Sequence, residues 1–295
     1  MEGRPKVAVI GAGRMGATMV GTLRRAGAEV VVFNRTRDKA EAVADRTGAA
    51  VAASARDAVS GAAVVICSLA DDAAVEAAYA GPDGVAAGLD PGAVVCETST
   101  VHPRTVHAVE PQVAARQADL LDTPVSGSVQ LVEQGALTIM AGGDAAALER
   151  ARPVLDQLAA RIFHVGPLGT GATMKLAVNT IVHGLNLALS EALVLAERAG
   201  VERAAAYEVF AASAVAAPFV LYKRAAFEHP EDTPVAFSLE LVAKDLDLAL
   251  RLAEQAGARM EQAATNRRVV GEAVAAGLGD HDLSALASFL RGATR

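Results

Sequence analysis

Five polar side chains interrupt an otherwise apolar stretch between residues 166 and 200, and their spacing could bring them together. They are Lys175, Asn179, His183, Asn186 and Ser190. Steps of three and four residues keep side chains on one face of an α-helix. A lysine on such a face could donate or accept a proton, and the amide one turn further on could hold a substrate. The alternative is that Lys175 simply reaches solvent while the amides bond to neighbouring backbone groups.

The element that must carry these residues is a long helix. Glycines and a proline occupy residues 166–171 (GPLGTG), an apolar run without proline follows, and Gly200 ends it. This pattern predicts one continuous helix that begins near Thr170 and is buried over most of its surface. The run is also long enough to span a membrane, but the lysine, histidine and asparagines inside it argue against that interpretation.

The composition predicts a folded, globular chain. Hydrophobic residues make up 52% and charged residues 21% of the 295 residues, which suffices for one large domain or two medium ones. The formal net charge is −7, no block of lysine and arginine occurs, and aromatic residues make up 3% with no tryptophan. These features disfavour nucleic acids and acidic membrane surfaces as partners.

The cysteines and histidines indicate neither disulfides nor a metal site. Cys67 and Cys96 lie in apolar, strand-like runs, as buried free thiols do, which fits a reducing cytoplasm. The six histidines include no pair at metal-ligand spacing. The N-terminal apolar run is too short for a signal peptide. We therefore expect a cytoplasmic protein that needs no metal.

A glycine-rich turn near the N-terminus predicts a dinucleotide site. Residues 6–10 (KVAVI) read as a buried strand, and a helical stretch and a second strand, residues 29–33, follow the turn. In this context Gly11 allows a tight turn, Gly13 lets a pyrophosphate approach the backbone, and Gly16 lets helix and strand pack closely. The alternative is an ordinary strand-to-helix turn. The expected cofactor contacts of the turn are Gly11, Ala12, Gly13, Arg14, Met15 and Gly16.

The end of the second predicted strand bears on the choice between NAD(H) and NADP(H). An NAD site usually has Asp or Glu here, which accepts hydrogen bonds from the ribose 2′-hydroxyl. This chain has Asn34, Arg35 and Thr36 instead, a set suited to a 2′-phosphate. The sequence therefore predicts that NADP(H) is preferred and that NAD(H) can also be used. The alternative is that Arg35 and Arg37 are solvated loop charges.

Strands and helices alternate up to residue 165, and only helices follow. Further strands are predicted at 62–69, 93–98, 120–124, 137–141 and 162–165, with helices at 72–80, from 103 and at 144–160. The later helices are predicted at 201–214, 218–228, 237–256, 258–276 and 283–291. The predicted fold is α/β. An N-terminal Rossmann-type doubly wound sheet, residues 1–165, precedes an all-α C-terminal domain, residues 166–295, and a long interdomain helix joins the two.

Five motifs in order carry a resemblance to a known family. They are GxGxMG (11–16), DTPVSGS (122–128), GALTIMAGG (135–143), GxGxxxKxxxN (169–179) and FSLELVAKDLDLA (237–249). Over essentially its whole length the chain resembles the β-hydroxyacid dehydrogenases, the family of 3-hydroxyisobutyrate dehydrogenase, tartronate semialdehyde reductase and glyoxylate/succinic semialdehyde reductase. The resemblance implies a Rossmann domain and a helical C-terminal domain that dimerises.

The same resemblance implies roles for individual residues. Lys175 is the proton donor or acceptor, and Asn179 binds the substrate. The substrate carboxylate is held by the loop that contains Ser126, Gly127 and Ser128. Lys244, which precedes Asp245, lies near both nicotinamide and substrate. The other implied cofactor contacts are Leu69, Ala70 and Thr100.

The expected function is an NADP(H)-dependent oxidoreductase that interconverts a small 3-hydroxy acid, similar to 3-hydroxyisobutyrate, and its semialdehyde or oxo form. Ser128 and Leu131 are larger than the family's usual residues, which leaves the exact substrate open. One alternative is an imine or larger-carbonyl reductase on the same fold, although Lys175 argues against it. Another is a non-catalytic dinucleotide-binding protein, which would not need Lys175, Asn179 and Lys244 together.

The expected partners are a small anionic substrate and further copies of the same chain. The C-terminal helices carry more apolar residues than five short helices can easily bury, which predicts a homodimer or homotetramer formed through the helical domain. Examples are Val215, Phe219, Val220, Leu221 and Phe227.

Overall fold

A computed structural model of the chain describes residues 5–292, so the outermost residues of both predicted domains lie outside the described part. The chain divides into two compact units, Met1–Lys175 and Leu176–Arg295. This division falls inside a long helix. The predicted domain boundary after residue 165 stays a prediction.

The first unit alternates strands and helices. Its strands are β1 (Lys6–Ile10), β2 (Glu29–Phe33), β3 (Ala50–Val51), β4 (Val64–Cys67), β5 (Val94–Glu97), β6 (Asp119–Asp122), β7 (Val125–Ser126), β8 (Leu137–Gly142) and β9 (Ala159–Gly166). Its helices are α1 (Arg14–Arg25), α2 (Arg37–Thr47), α3 (Ala55–Val59), α4 (Asp72–Tyr79), α5 (Val85–Gly88), α6 (Pro103–Ala114), α7 (Val129–Glu133) and α8 (Ala145–Leu155). The central strands are rich in valine and buried on both faces, as parallel strands between two helical layers must be.

The strands form one mixed sheet in the order β3-β2-β1-β4-β5-β6-β8-β7, with β9 paired to β8. The first six strands pair in parallel, whereas β8 runs antiparallel to β6 and β7. Successive residues of β1 alternate between two apolar cores: Val7 and Val9 join one, Ala8 and Ile10 the other. The order reverses between β1 and β4, which is where a dinucleotide binds in folds of this kind.

The second unit is helical. After α9 (Thr170–Arg198), which begins in the first unit, come α10 (Arg203–Ala212), α11 (Pro218–Tyr222), α12 (Arg224–Glu228), α13 (Leu239–Ala256), α14 (Glu261–Ala273), a π-helical turn (Val274–Leu278) and α15 (Ala285–Gly292). Leu193, Tyr207, Phe227 and Leu246 are among the buried members of its core. The α/β fold with a long helix and a helical C-terminal part, predicted from the sequence, is confirmed.

Helix α9 differs from the prediction that most of its surface is buried. Ile181 and Leu195 are 73% and 71% exposed. By length and composition the helix could cross a membrane. Its polar stripe, however, points into the protein, because Asn179, His183 and Ser190 are buried, as is Asn186.

Several elements depart from the sequence-based expectation. Helix α8 ends at Leu155 and not near residue 160, because Ala159 already pairs with Leu137 in the sheet. The helix predicted at 218–228 is two short helices that meet at Lys223. Three of the five apolar residues expected at a dimer contact, Phe219, Val220 and Phe227, are buried within the chain. The sequence analysis did not predict α2, α3, α5, α7, β3 and β7.

Candidate active site

The glycine turn after β1 has the geometry of a phosphate-binding loop. Gly11 has φ +106°, and a Cβ placed there would meet the carbonyl oxygen of Ser68 at 2.2 Å. A Cβ at Gly16 would meet the Gly11 carbonyl oxygen at 2.1 Å, so helix α1 packs directly against the turn. A Cβ at Gly13 would meet nothing within 4 Å. The open space at Gly13, at the start of α1, is where a pyrophosphate would approach the backbone.

The end of β2 is fixed by hydrogen bonds that the sequence did not reveal. The Asn34 side chain accepts a hydrogen bond from Ala12 N (3.0 Å) and donates one to Thr36 O (2.8 Å). Its amide therefore braces the glycine turn. Arg35 and Thr36 are exposed. Arg37 is paired with Glu41, Nε to Oε1 2.7 Å, so Arg35 is the better placed of the two arginines for a phosphate.

Two loops follow β4 and β5 at the same edge of the sheet, and a buried carboxyl holds them. Leu69 N donates to Ser99 Oγ at 2.7 Å, which ties one loop to the other. Ser99 N in turn donates to Glu97 Oε1 at 3.0 Å, and Tyr79 Oη donates to Glu97 Oε2 at 3.0 Å. Glu97 is 1% exposed. Burial raises the pKa of its carboxyl to about 7, against the hydrogen bonds from Ser99 and Tyr79 and with the nearby Asp122 adding to the rise.

The predicted substrate loop follows β6. Ser126 ends β7, Gly127 has φ +144°, and Ser128 precedes α7 without capping it by its side chain. A Cβ at Gly127 would meet Leu137 Cδ2 at 2.7 Å and Leu131 Cδ1 at 3.1 Å. Leu131 therefore packs beside the loop, and Gly127 suits both the backbone conformation and the space.

The start of α9 is anchored by Asp122, the last residue of β6. Asp122 Oδ1 accepts from Gly169 N at 2.9 Å, and Oδ2 accepts from Ala172 N at 2.6 Å. The Asp122 side chain is fully buried, and burial raises its pKa, although the backbone N–H donors oppose the rise. A carboxylate at a helix N-terminus satisfies N–H groups that have no partner inside the helix. Lys175 lies one turn beyond this anchor and is half-buried.

In the second unit, the polar stripe of α9 meets α13. Asn179 Nδ2 donates to Asp245 Oδ2 at 2.6 Å, and His183 Nε2 lies 3.5 Å from the same oxygen. Lys244 Nζ lies 3.2 Å from Asp245 Oδ1. The His183 ring packs against Phe237, with 5.7 Å between centroids. Asp245 therefore holds the amide of Asn179 and the ammonium of Lys244 in fixed positions.

The structure places the predicted residues in local groups. All the residues predicted to contact the cofactor except Lys244, which is on α13, lie at the turn after β1 and at the ends of β2, β4 and β5. This is the edge where a Rossmann-type sheet holds its ligand. Lys175 and Asn179 lie on consecutive turns of α9 and on the same face of that helix. Sequence reasoning missed Glu97 as a functional candidate, although an acidic residue at the end of an otherwise apolar strand was a visible signal. Among residues 5–292, no group of three or more His, Cys, Asp or Glu side chains is placed to hold a metal.

The open glycine turn and the free start of α1 fit a dinucleotide, and comparisons with known proteins agree. Residues 6–166 match the sequence family described as the NAD binding domain of 6-phosphogluconate dehydrogenase. Residues 169–290 match the family described as NAD-binding of NADP-dependent 3-hydroxyisobutyrate dehydrogenase. Together the two matches cover nearly the whole chain.

Individual relatives align along most of their length. The NAD-dependent L-serine dehydrogenase of Pseudomonas aeruginosa is 36% identical over 258 residues, 84% of this chain and 85% of that protein. Glyoxylate/succinic semialdehyde reductase 1 of Arabidopsis thaliana is 32% identical over 281 residues, 95% of this chain and 96% of that protein. The structure of Mycobacterium tuberculosis 3-hydroxyisobutyrate dehydrogenase with L-serine superposes with a TM-score of 0.86 at 30% identity and covers 98% of this chain and 100% of that one.

Fold, glycine turn and comparisons together define an NAD(P)-dependent dehydrogenase or reductase of hydroxy acids. More narrowly, the chain belongs to the β-hydroxyacid dehydrogenase family, as its motifs indicated. The relatives differ in the cofactor and the substrate that their names give. Family membership therefore establishes the reaction class and leaves both choices open.

Proposed function

We propose that the protein interconverts a small 3-hydroxy acid and its semialdehyde or oxo form with NADP(H), with Lys175 as general acid and base. The observation that carries this proposal is the arrangement on α9. Asp122 anchors the first turn of the helix through Gly169 N and Ala172 N. Lys175 follows one turn later, and Asn179, held by Asp245, follows after another turn.

The chemistry divides between cofactor and chain. A bound nicotinamide would supply the hydride chemistry, taking a hydride from the carbinol carbon in oxidation and giving one to the carbonyl carbon in reduction. Lys175 Nζ accepts the hydroxyl proton in oxidation and gives it back in reduction, so that no charge accumulates on the substrate oxygen. Asn179 would hold the substrate, since Asp245 fixes the orientation of its amide.

The substrate is proposed to be an anion that the loop Ser126–Ser128 holds by its carboxylate. The two serine hydroxyls and the backbone N–H groups beside Gly127 can donate hydrogen bonds to carboxylate oxygens. Simple alcohols and esters would lack this anchor. We therefore expect the methyl ester of a substrate acid to show a much lower kcat/KM than the acid.

NADP(H) is proposed over NAD(H) because of Arg35. The side chain at position 34, where a 2′-hydroxyl acceptor would stand, is an amide already engaged with Ala12 and Thr36. The exposed Arg35 can pair with a 2′-phosphate, a charge-assisted contact worth about 1.5–3 kcal/mol. Arg35→Ala should therefore lower kcat/KM for NADP⁺ at least about tenfold and leave that for NAD⁺ unchanged. Arg37→Ala is the matched control, because Arg37 is paired with Glu41.

Self-association through the helical unit is also proposed. Large apolar side chains remain exposed there, among them Ile181 (73%), Leu195 (71%), Val209 (65%) and Leu221 (51%). Covering them in a homodimer or homotetramer would remove apolar surface from water. Light scattering at micromolar concentration should give at least twice the mass of one chain, and a monomer would contradict the proposal.

One experiment tests the whole assignment. Turnover of NADP⁺ and NAD⁺ is measured with 3-hydroxyisobutyrate, L-serine and their methyl esters, and turnover of NADPH with glyoxylate, succinic semialdehyde and a cyclic imine. Activity with a hydroxy acid and its oxo form supports the proposal. Activity with the imine alone would favour an imine reductase. Cofactor binding without any turnover would favour the non-catalytic alternative.

A further inference from the structure

We propose that Glu97 is a positioning residue that acts through Ser99 to fix the loops after β4 and β5 for the nicotinamide half of the cofactor. This inference goes beyond the proposed function and depends neither on the identity of the substrate nor on the role of Lys175. It rests on a chain of hydrogen bonds within the first unit.

The order of the strands indicates where the nicotinamide half of the cofactor lies. A dinucleotide crosses a sheet of order 3-2-1-4-5-6 at the reversal, here between β1 and β4. The glycine turn and Arg35 lie at the ends of β1 and β2, on the adenosine side. The nicotinamide half therefore falls at the ends of β4 and β5, where Leu69 and Thr100 lie.

Hydrogen bonds connect those two loops to Glu97. Leu69 N donates to Ser99 Oγ at 2.7 Å, and Ser99 N donates to Glu97 Oε1 at 3.0 Å. The Ser99 hydroxyl also lowers the pKa of the Glu97 carboxyl, so both polar groups of Ser99 interact with that carboxyl. Leu69 N, Ser99 and Glu97 thus form one relay from the loop surface into the protein.

The side chains around Glu97 supply hydrogen bonds and apolar surface, and one further carboxyl. Tyr79 on α4 donates to its other oxygen at 3.0 Å, and Cys67 on β4 lies 3.5 Å from the same hydroxyl. Cys96 precedes Glu97 on β5, and Asp122 faces it from β6. Cys67 and Tyr79 keep their protons at neutral pH, because burial raises the pKa of each, and so does Cys96, whose pKa burial raises to about 12. Within residues 5–292, no lysine, arginine or histidine side chain forms an ion pair with Glu97.

The ionised form of Glu97 lowers the stability of the fold. A carboxyl buried without a cationic partner is destabilising when it is ionised. A neutral residue of similar shape would satisfy the strand equally well. Glu97 therefore contributes something other than stability. Through Ser99 its carboxyl reaches Leu69 N at the ligand edge, whereas its other oxygen accepts from Tyr79 on α4.

The relay should also respond to pH. An ionised carboxylate accepts from Ser99 and Tyr79 at both oxygens, whereas a protonated one has lost acceptor capacity. Because the pKa of Glu97 lies at about 7, the brace is complete above that pH and weakens below it. Cofactor affinity should fall as the pH falls from 8 to 6.

The test is direct binding and not activity. Kd is measured for NADPH by its fluorescence and for NADP⁺ by calorimetry, and beside them for 2′,5′-ADP and ADP, which lack the nicotinamide. Glu97→Leu removes the buried end of the relay, Ser99→Ala removes its hydroxyl link, Glu97→Gln keeps an acceptor without a charge, and Ser60→Ala is the matched control. Ser60 follows α3, and its backbone carbonyl accepts from Lys6 at the start of β1, the opposite edge of the sheet.

Glu97→Leu and Ser99→Ala should weaken the binding of the full dinucleotides about tenfold and change Kd for the nucleotide fragments less than about twofold. Glu97→Gln should bind within about threefold of the wild type at pH 8. Its affinity for NADPH should change with pH only as much as its affinity for 2′,5′-ADP, whose 2′-phosphate titrates at about pH 6. Unchanged dinucleotide affinity in Ser99→Ala, or an equal loss for fragments and dinucleotides, would overturn the proposal. If Glu97→Leu does not fold, Ser99→Ala and Glu97→Gln decide alone.

Discussion

Two buried carboxyls of the first unit and two buried polar side chains of the helical unit differ in how their polar atoms are satisfied. In the first unit, which binds the nucleotide, Asp122 accepts hydrogen bonds from backbone N–H groups at both carboxyl oxygens. Glu97 accepts one from a backbone N–H group at a single oxygen. In the helical unit, neither ring nitrogen of His183 has a hydrogen bond within residues 5–292, although Nε2 lies 3.5 Å from Asp245. Both side-chain polar atoms of Asn266 are likewise without one in that range.

The contrast separates polar groups that already have their hydrogen bonds within the described chain from groups that do not. Hydrogen bonds to buried backbone fix the loops of the nucleotide-binding unit before any ligand arrives. A buried polar atom without a hydrogen bond costs free energy. The hydrogen bonds within the described residues therefore do not explain why a histidine stands at position 183.

Lys175 should give the largest effect. Lys175→Ala should lower kcat by about 10²–10⁴-fold, the usual scale for a lost general acid or base, with little change in Kd for NADPH. Lys175→Arg should fail almost as badly, because a guanidinium does not release its proton near pH 7. Steady-state kinetics with saturating substrate measure the loss. A variant that keeps more than about a tenth of wild-type kcat would show that Lys175 is not the proton donor.

Glu97 should reveal a stability difference that depends on pH. Its pKa of about 7 in the folded chain exceeds the unfolded value, so between the two values the folded state holds a proton that the unfolded state has lost. Stability therefore falls as the pH rises from about 4.5 to 7, by about 3 kcal/mol from this group. Glu97→Gln should flatten that slope in urea unfolding curves. An equal pH dependence in both proteins would refute the ionisation assigned to Glu97.

Asp122 tests the anchor of α9. In Asp122→Asn the amide NH₂ cannot accept from Gly169 N or Ala172 N, so one buried donor loses its partner at a cost of about 1–3 kcal/mol. We expect lower stability and a kcat about tenfold lower, because the turn that carries Lys175 shifts. Kd for NADPH should stay the same. Asp119→Asn, at an exposed ion pair with Arg150, is the control that should change neither quantity.

His183 should give the smallest effect on folding. His183→Phe keeps a ring against Phe237 and removes two nitrogens that have no hydrogen bond within residues 5–292, so the free energy of unfolding should change by less than about 1 kcal/mol. The substrate KM should rise while Kd for NADPH stays constant. A stability loss above about 3 kcal/mol would instead identify His183 as a necessary charged partner of Asp245.

The sequence predicted the local features of this site well. The glycine turn needs only residues 11–16 and their neighbouring strands, and the stripe on α9 follows from helical spacing alone. Contacts between distant residues were not predictable in this way. Glu97 and Tyr79 are 18 positions apart, and Asp122 and Ala172 are 50 apart. Their pairing depends on strand order and on where each helix begins, which no single stretch of sequence specifies.

The sequence indicates that apolar side chains are buried, but it does not show which of them are. Phe219 and Val220 lie inside the helical core, whereas their neighbours Leu221 and Tyr222 are 51% and 56% exposed. The sequence does not distinguish these four apolar residues. Helix α11 is only five residues long, and its buried face depends on the elements that pack against it. The end of α8 is a similar case, since β9 competes for the same residues once β8 offers a pairing edge.

The glycines of α9 bear on how this protein could be made more heat-stable. Exchanging helical glycine for alanine is a common route to about 1 kcal/mol of extra stability. At Gly171 the added carbon would lie 2.4 Å from the Met140 carbonyl oxygen and 2.5 Å from that of Asp122, both rigid backbone atoms. At Gly184 it would meet only the end of the Gln262 side chain, at 2.6 Å. A library of stabilising variants should therefore include Gly184 and leave Gly171 untouched.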